Sequence, residues 1–414
     1  MTTRAPIHHR LRPLTGRDPD QPNRAATPLE LLFDLCFVVA FGVAADQLAH
    51  LISVGDVVLG VWAFSFSILA ICLAWINFSW FSSAYDTDDW FYRVGTLVQM
   101  IGVIIFALGI PEMVHSLEAG EHINNRIVVA GYVVIRIAMV TMWLRAARAD
   151  SRRRSTALSY AFFISIAQVA WVVLAIVDIP TWIFLVCVPI LFLVEFAGPV
   201  LSERKTEGTP WNPHHIAERY GLLTIIALGE GIFGTVATVS ALVEHQGWTM
   251  DAVLVVIAGV GITFALWWTY FIIPSGPVLA RHRSRAWPWG YGHILIFAAI
   301  AATGAGLHVV AYVIEGETSL GTTGAILAVA IPLAVFSVTL FTLYTYLVGE
   351  FDPFHVWLFG GTLAALAIAV ACAAAGASIG FCLVILTLSP VVVVVGFETV
   401  GHRHQTATLQ RALR

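Results

Sequence analysis

The chain has 414 residues, of which 58% are hydrophobic and only 12% are charged, and its mean hydropathy is +0.83. This composition excludes an ordinary soluble domain, in which about 25% of residues are charged. The formal net charge of −4 carries little information by itself, because in membrane proteins the distribution of Lys and Arg matters more than their sum. The composition therefore predicts one membrane domain.

Apolar stretches recur along the chain, each with the roughly 20 residues needed to cross a hydrocarbon core. They lack the strict alternation of barrel strands, so the predicted fold class is all-α, a polytopic membrane protein with about twelve transmembrane helices. The first six predicted helices are residues 28–52, 57–83, 90–112, 126–147, 157–177 and 180–201. The second six are residues 216–242, 250–273, 288–314, 323–348, 354–375 and 377–399. The turn at Gly376 is the shortest connection between them.

The segments outside these helices are short. Residues 1–26 are rich in Arg, Pro and Asp and lack the apolar region of a signal peptide, so they are predicted to be a disordered cytoplasmic arm. Residues 202–215 are predicted to be a cytoplasmic linker, and residues 401–414 a cytoplasmic tail. With both termini inside, the basic residues fall in cytoplasmic loops, as the positive-inside rule requires: Arg145, Arg148, Arg152, Arg153, Arg154, Arg204, Lys205, Arg281, Arg283 and Arg285. The predicted location is the bacterial inner membrane.

The two halves of the chain resemble each other. If Glu30 is aligned with Glu218, Trp75 falls opposite Trp267 near the same end of the second and eighth helices. Because each half has an even number of helices, the predicted repeats, residues 27–201 and 216–400, are parallel. The alternative is a chance alignment of two sets of apolar helices.

The first predicted helix carries two carboxylates that define a candidate ion site. Glu30 and Asp34 are four residues apart and share one helix face. A shared carboxyl face of this kind is a reasonable proton or cation site, and buried ionisable residues in membrane spans are functional candidates by default. Alternatively, Glu30 reaches the cytoplasmic interface and only Asp34 is buried. Further along the helix, His50 follows Asp46 by four residues, which favours an interfacial pair.

The seventh helix carries a second acidic site. Glu218 and Arg219 are adjacent, so they point about 100° apart and must find partners on other helices. Glu230 lies deeper, next to Gly229 and Gly231. Clustered glycines permit close helix approach or local unwinding, which transporters use to expose polar groups at depth. The alternative is a glycine packing seam in which Glu230 is hydrogen-bonded to a neighbour.

Two arginines complete the set of candidate substrate- or ion-binding residues. Arg136 lies in the middle of the fourth helix and cannot easily lose its charge, so it needs an acidic partner; Glu195, Asp34 and Glu230 are the candidates. The pair is either structural or part of an anion site. Arg93 is near three aspartates and is explained either as an interfacial ion-pair residue or as a partner at the depth of Glu30.

No cofactor or metal is predicted. His214, His215 and Glu218 have a spacing that fits one helix turn, but no further ligand follows in the sequence. The five cysteines have no metal-type spacing. Nucleotide-binding and hydrolase motifs are absent from the sequence. The expected partners are a small solute or ion and membrane lipids, with a possible homodimer and no nucleic acid.

Two motifs resemble the bacterial low temperature requirement A (LtrA) family. They are Thr27-Pro-Leu-Glu-Leu-Leu-Phe-Asp-Leu-Cys-Phe-Val and Ala217-Glu-Arg-Tyr-Gly-Leu-Leu-Thr-Ile-Ile-Ala-Leu-Gly-Glu. The resemblance implies a polytopic inner-membrane protein and carries over the family's motif positions Glu30, Asp34, Glu218, Arg219, Gly229 and Glu230. The resemblance does not identify a substrate. Cys36 is a small departure from the family pattern.

These observations favour a proton- or cation-coupled secondary transporter of a small solute, which uses the buried carboxylates of the first and seventh helices. They lead us to expect that these carboxylates converge on one hydrated chamber. An ion channel built from two six-helix repeats is the first alternative, although the chain lacks a filter-like motif. A membrane-embedded lipid-modifying enzyme or a sensor is the second.

Overall fold

The computed structural model describes residues 11–22, 24–120, 123–177, 179–205 and 207–413, and these residues form an all-α structure without strands. The helices are α1 (Pro28–Ser53), α2 (Val57–Tyr85), α3 (Trp90–Glu118), α4 (Arg126–Ala149), α5 (Arg154–Ile176), α6 (Thr181–Glu203), α7 (Pro213–Ala227), α8 (Gly229–Gln246), α9 (Met250–Phe271), α10 (Ser275–Arg281), α11 (Ala286–Glu315), α12 (Thr322–Val348), α13 (Phe354–Ala374), α14 (Ile379–Gly396) and α15 (His402–Ala412). A π-helical turn, Phe397–Gly401, joins α14 to α15.

Twelve helical segments among the described residues are long and apolar enough to cross a membrane, which confirms the predicted fold class. The seventh consists of α7 and α8 together, and the eighth of α9 and α10. The short connection predicted at Gly376 is present between α13 and α14. Gly376 has φ +86°, a left-handed conformation in which glycine is favoured after a helix. The last segment runs further than predicted, to Ala412. No proline follows Gly396, and the residues of α15 include good helix formers.

The chain divides into two compact units. Unit 1 contains the described residues up to Phe37 and those from Leu73 to Ile216. Unit 2 contains residues Val38–Cys72 and the described residues from Ala217 onward. These units differ from the predicted repeats, since residues 38–72 belong with the second half of the chain. The duplication itself stays a prediction.

The described part of the N-terminal arm is anchored in unit 1. The Arg24 Nη2 group donates to the carbonyl oxygen of Ser82 at 2.7 Å, and its Nη1 group donates to that of Ser83. The backbone N–H of Arg17 donates to the carbonyl of Ala84 at 2.9 Å. These carbonyls belong to the last turn of α2, where helical donors run out, although the Ser82 carbonyl also accepts from the backbone N–H of Asp86 at 3.1 Å. The arm therefore makes more contacts than a disordered segment would. Residues 1–10 and 23 of the predicted arm lie outside the described residues.

Asp86, in the loop after α2, makes the stability of this region depend on pH. Burial raises its pKa to about 6, with a further contribution from Glu30 and opposition from Arg17 and Arg24. The folded protein thus holds this proton more tightly than the unfolded chain. The resulting stability is complete below pH 3.8 and is lost as the pH rises to about 6. A shift of this size corresponds to about 3 kcal/mol.

We expect Asp86→Asn to flatten the pH dependence of unfolding between about pH 4 and 6 and to stabilise the protein at pH 7. Thermal unfolding of the purified chain at a series of pH values measures both effects.

Asp89 is the control because its pKa shift has the opposite sign. Partial burial raises its pKa, but Arg145 and two backbone N–H groups outweigh burial and lower it to about 2. Asp89→Asn should therefore destabilise the protein at pH 7. Equal effects of the two substitutions would contradict this assignment.

In unit 2, helices α8 and α11 approach each other closely at Gly304. A Cβ atom on Gly304 would lie 2.6 Å from the carbonyl oxygen of Glu230, and one on Gly234 would lie 2.5 Å from the carbonyl oxygen of Gly304. Small residues allow such an approach in membrane helices. The contact holds the backbone of Glu230 against α11.

Gly304→Ala is expected to destabilise the protein by about 1–3 kcal/mol, because the added methyl group meets backbone atoms that cannot move independently. Gly360 in α13 is the matched control, since a Cβ atom there meets nothing within 4 Å. Gly360→Ala should leave the melting temperature unchanged when thermal unfolding is monitored by circular dichroism. If the two variants lose equal stability, the helices do not depend on this contact.

Candidate functional site

Glu230 is a buried carboxylate at a break between two helices of unit 2. Helix α7 ends at Ala227 and α8 begins at Gly229, with Leu228 between them. The backbone N–H of Gly231 bonds to the carbonyl of Leu228 at 3.1 Å, a shorter-range bond than in a regular α-helix. Leu228 keeps right-handed helical angles, φ −61° and ψ −19°, so the helix tightens at this point and is not unwound. The side chain of Glu230 is 4% exposed and makes no hydrogen bond or ion pair with a described residue.

One glycine lies against the Glu230 carboxylate. A Cβ atom on Gly42 of α1 would lie 3.2 Å from Oε1 and 3.4 Å from Oε2 of Glu230. The adjacent residue, Gly231, packs against α9, since a Cβ atom on it would lie 2.7 Å from the hydroxyl of Thr263. Helices α1 and α11 thus approach Glu230, and no side chain in the described ranges neutralises its carboxylate.

Asp46 and His308 lie one turn further along two of these helices. Asp46 follows Gly42 by four residues, and His308 follows Gly304 by four, so each lies one helical turn from the level of Glu230. The His308 Nδ1 atom is 3.7 Å from Asp46 Oδ1. The His308 side chain is 23% exposed and that of Asp46 is 58% exposed. The sequence predicted only His50 as a neighbour of Asp46 and did not place either residue near Glu230.

Glu30 and Asp34 lie in unit 1, and both are fully buried. Glu30 forms a capping box with Thr27. Its Oε2 atom accepts from the Thr27 backbone N–H at 2.7 Å, and the Thr27 hydroxyl accepts from the Glu30 N–H at 3.3 Å. Ser82 also donates to Glu30, and His215 Nε2 is 3.2 Å from its Oε1 atom. The alternative in which Glu30 reaches the interface is not the arrangement found.

Asp34 has a separate partner. The indole Nε1 of Trp75 donates to Asp34 Oδ1 at 2.6 Å. Trp75 is also buried, so this hydrogen bond forms in a region of low dielectric, where it is strong. The two carboxylates of α1 therefore have different surroundings although they share a helix face. Their predicted convergence with Glu230 stays a prediction, because Glu230 belongs to unit 2.

Arg136 and Glu195 form a buried ion pair in unit 1. Arg136 Nη2 is 2.6 Å from Glu195 Oε2, and it also donates to the hydroxyl of Tyr132. Of the three acidic partners predicted from the sequence for Arg136, Glu195 is the one that pairs with it. The Nε and Nη1 atoms of Arg136 have no hydrogen-bond partner in the described part of the chain. The pair therefore retains donors that a solute or water could use.

The remaining predicted site residues are dispersed. Arg93 pairs with Asp88 at 2.8 Å, with 61% of its side chain exposed, which agrees with an interfacial ion pair. Glu218 is exposed and Arg219 is buried, so they face different ways, as the helical period requires. Gly229 has nothing within 4 Å of its Cβ position.

The histidine-based metal site is not formed. His215 is buried beside Glu30, whereas His214 and Glu218 are exposed. Among the residues that the structure describes, no group of three or more His, Cys, Asp or Glu side chains could hold a metal ion. His293 is a packing residue, since its ring nitrogens lie 3.0 Å from the Tyr270 hydroxyl and 2.7 Å from the Trp289 carbonyl.

Twelve apolar helical segments with buried ionisable side chains, found within the part of the chain that the structure describes, define a multi-pass membrane protein. Residues 25–390 match the family described as bacterial low temperature requirement A protein (LtrA), and the chain belongs to this family. It is also similar to an uncharacterised protein of Rhizobium meliloti (strain 1021), with 23% identity over 298 residues that cover 67% of each chain. No solved structure matches it.

Proposed function

We propose that the protein is a proton-coupled secondary transporter of a small solute in the bacterial inner membrane, with Glu230 as the proton-binding group. The observation that carries the proposal is the Glu230 carboxylate, which is buried in a membrane-spanning segment without a hydrogen-bond donor or cation among the described residues. A charge in such a position costs several kcal/mol. Binding of a proton or a cation removes this cost.

The surroundings of Glu230 favour a proton over a metal cation. Alkali and alkaline-earth ions need several oxygen ligands. The α1 residue next to the Glu230 carboxylate is a glycine, Gly42, which has no side-chain oxygen to offer. Asp46 and His308 are partly exposed and lie one helical turn from the level of Glu230. They are on the side that the basic residues predict to face away from the cytoplasm.

The Asp34 site in unit 1 serves as the second candidate group for coupling or for solute recognition. Its carboxylate is fixed by Trp75 and therefore has a defined direction, which a binding residue requires. Arg136 is the corresponding candidate for recognition of a negative or hydrogen-bond-accepting group of the solute, because its free N–H groups are buried.

The proposal is tested in proteoliposomes that contain a fluorescent pH indicator. A panel of small anionic, cationic and neutral solutes is added under an imposed pH gradient. We expect at least one solute class to change the internal pH only when the protein is present. Asp34→Asn, which keeps an oxygen acceptor for Trp75, should reduce this change while the protein remains folded.

Recordings of the same protein in a planar bilayer distinguish a transporter from a channel. A transporter moves protons only together with its solute, whereas a channel gives current in a planar bilayer without coupling. Current that is independent of any solute and unaffected by Glu230→Gln would contradict the proposal.

A further inference from the structure

A large apolar cavity lies at one end of unit 2, away from the Glu230 site. Its volume is about 510 Å³, and Val338, Phe341 and Phe359 are among the residues that line it. The Phe341 ring lies 5.2 Å from the ring of His355 and 6.1 Å from that of Phe359, measured between centroids. The cavity lies between α12 and α13 and is open along one side, where exposed residues such as Phe351 border it.

A charged cleft adjoins this cavity. The cleft has a volume of about 450 Å³ and lies between α15 and the connection from α12 to α13, and Phe351 lines both spaces. Arg411 and Glu350 form an ion pair in its wall, with Arg411 Nη2 2.7 Å from Glu350 Oε2. In the same wall, His404 Nδ1 is 3.2 Å from Asp352 Oδ1.

Arg403 is the arginine of the cleft without an ion-pair partner. It is exposed and forms no ion pair with any residue in the described ranges. Its guanidinium group is therefore available to an anion next to the apolar cavity. The distribution of Arg and Lys predicts that this end of the protein faces the cytoplasm, where anionic lipids give the bilayer a negative surface potential.

We propose that the cavity and the cleft together bind one anionic phospholipid, with an acyl chain in the cavity and the phosphate group beside Arg403. The apolar wall holds the chain by van der Waals packing, because a chain that comes from the bilayer gains no hydrophobic energy from a wall as apolar as lipid. The cation supplies selectivity for the headgroup. This site is distinct from the Glu230 site and does not depend on the transport proposal.

The lipid preference is measured by native mass spectrometry of the full chain, purified in detergent with equal amounts of phosphatidylglycerol and phosphatidylcholine. We expect the wild type to retain phosphatidylglycerol preferentially. Arg403→Gln should reduce this preference about fivefold, the effect of one basic residue at a membrane surface. Arg148→Gln, at the exposed end of α4, is the control with the same change of charge and should retain it. Equal retention of both lipids by the wild type, or no effect of Arg403→Gln, would overturn the proposal.

A second variant tests the apolar half of the site. Val338→Trp fills the cavity and should reduce retention of both lipids, whereas Ile331→Trp, on an exposed position of the same helix outside the cavity, should not. Melting temperatures establish that both variants are folded. Normal lipid retention by a folded Val338→Trp protein would show that the acyl chain lies elsewhere.

Discussion

Replacement of Glu230 by glutamine is expected to abolish solute-coupled proton movement, reducing it to the level of protein-free vesicles. Glutamine has nearly the same shape as glutamate but cannot take up and release a proton. The substitution also removes a buried charge without a partner, so the protein should be at least as stable as the wild type. The measurement is the internal pH of proteoliposomes in the presence of the transported solute.

Glu244→Gln is the matched control for this substitution. Glu244 lies near the end of the same helix and is exposed, so its replacement makes the same chemical change outside the site. We expect unaltered transport in this variant. Transport at the wild-type rate by a folded Glu230→Gln protein would contradict the assignment of Glu230.

Replacement of Arg136 by methionine alone is expected to destabilise the protein by about 3–5 kcal/mol, because it leaves the buried Glu195 carboxylate without its ion-pair partner. The double variant Arg136→Met, Glu195→Met should recover most of this loss, since it removes both charges. Denaturant unfolding of the single and double variants in the same detergent measures the coupling energy.

The exposed pair of Arg93 and Asp88 provides the comparison. Its side chains are 61% and 53% exposed, and such pairs contribute little to stability. Arg93→Met should therefore have little effect. If the Arg136 double variant is as unstable as the single variant, the pair is not the source of the loss. If the double variant is stable but does not transport, Arg136 has a role in solute recognition beyond packing.

The helices were predictable because each membrane span has a fixed minimum length and an apolar composition. The capping box of Thr27 and Glu30 was also readable, since a threonine three residues before a glutamate at a helix start is its usual signature. From the sequence, Glu30 was predicted either to form an ion site or to reach the cytoplasmic interface. In the structure its carboxylate has partners just before α1, on α2 and at the start of α7.

The site around Glu230 was predictable only in part. The glycines next to Glu230 indicated close helix packing or local unwinding; Gly231 packs closely against Thr263 of α9, whereas Leu228 keeps helical backbone angles. The positions of Gly42, Asp46 and His308 were not predictable because they depend on which helices become neighbours, which a single sequence does not encode as a local pattern. For the same reason, Arg136 had three possible partners, and only the packing of α4 and α6 in unit 1 identifies Glu195.

Infrared difference spectroscopy tests the central claim most directly, because a protonated carboxyl group has a C=O band that a carboxylate lacks. The spectra are recorded for the wild type and for Glu230→Gln in lipid vesicles as the pH is changed on both sides of the membrane. We predict a carboxyl band in the wild type that responds to pH and to the solute and is missing in Glu230→Gln but present in Glu244→Gln. An identical band in all three proteins would contradict the account, because the proton would then be bound elsewhere.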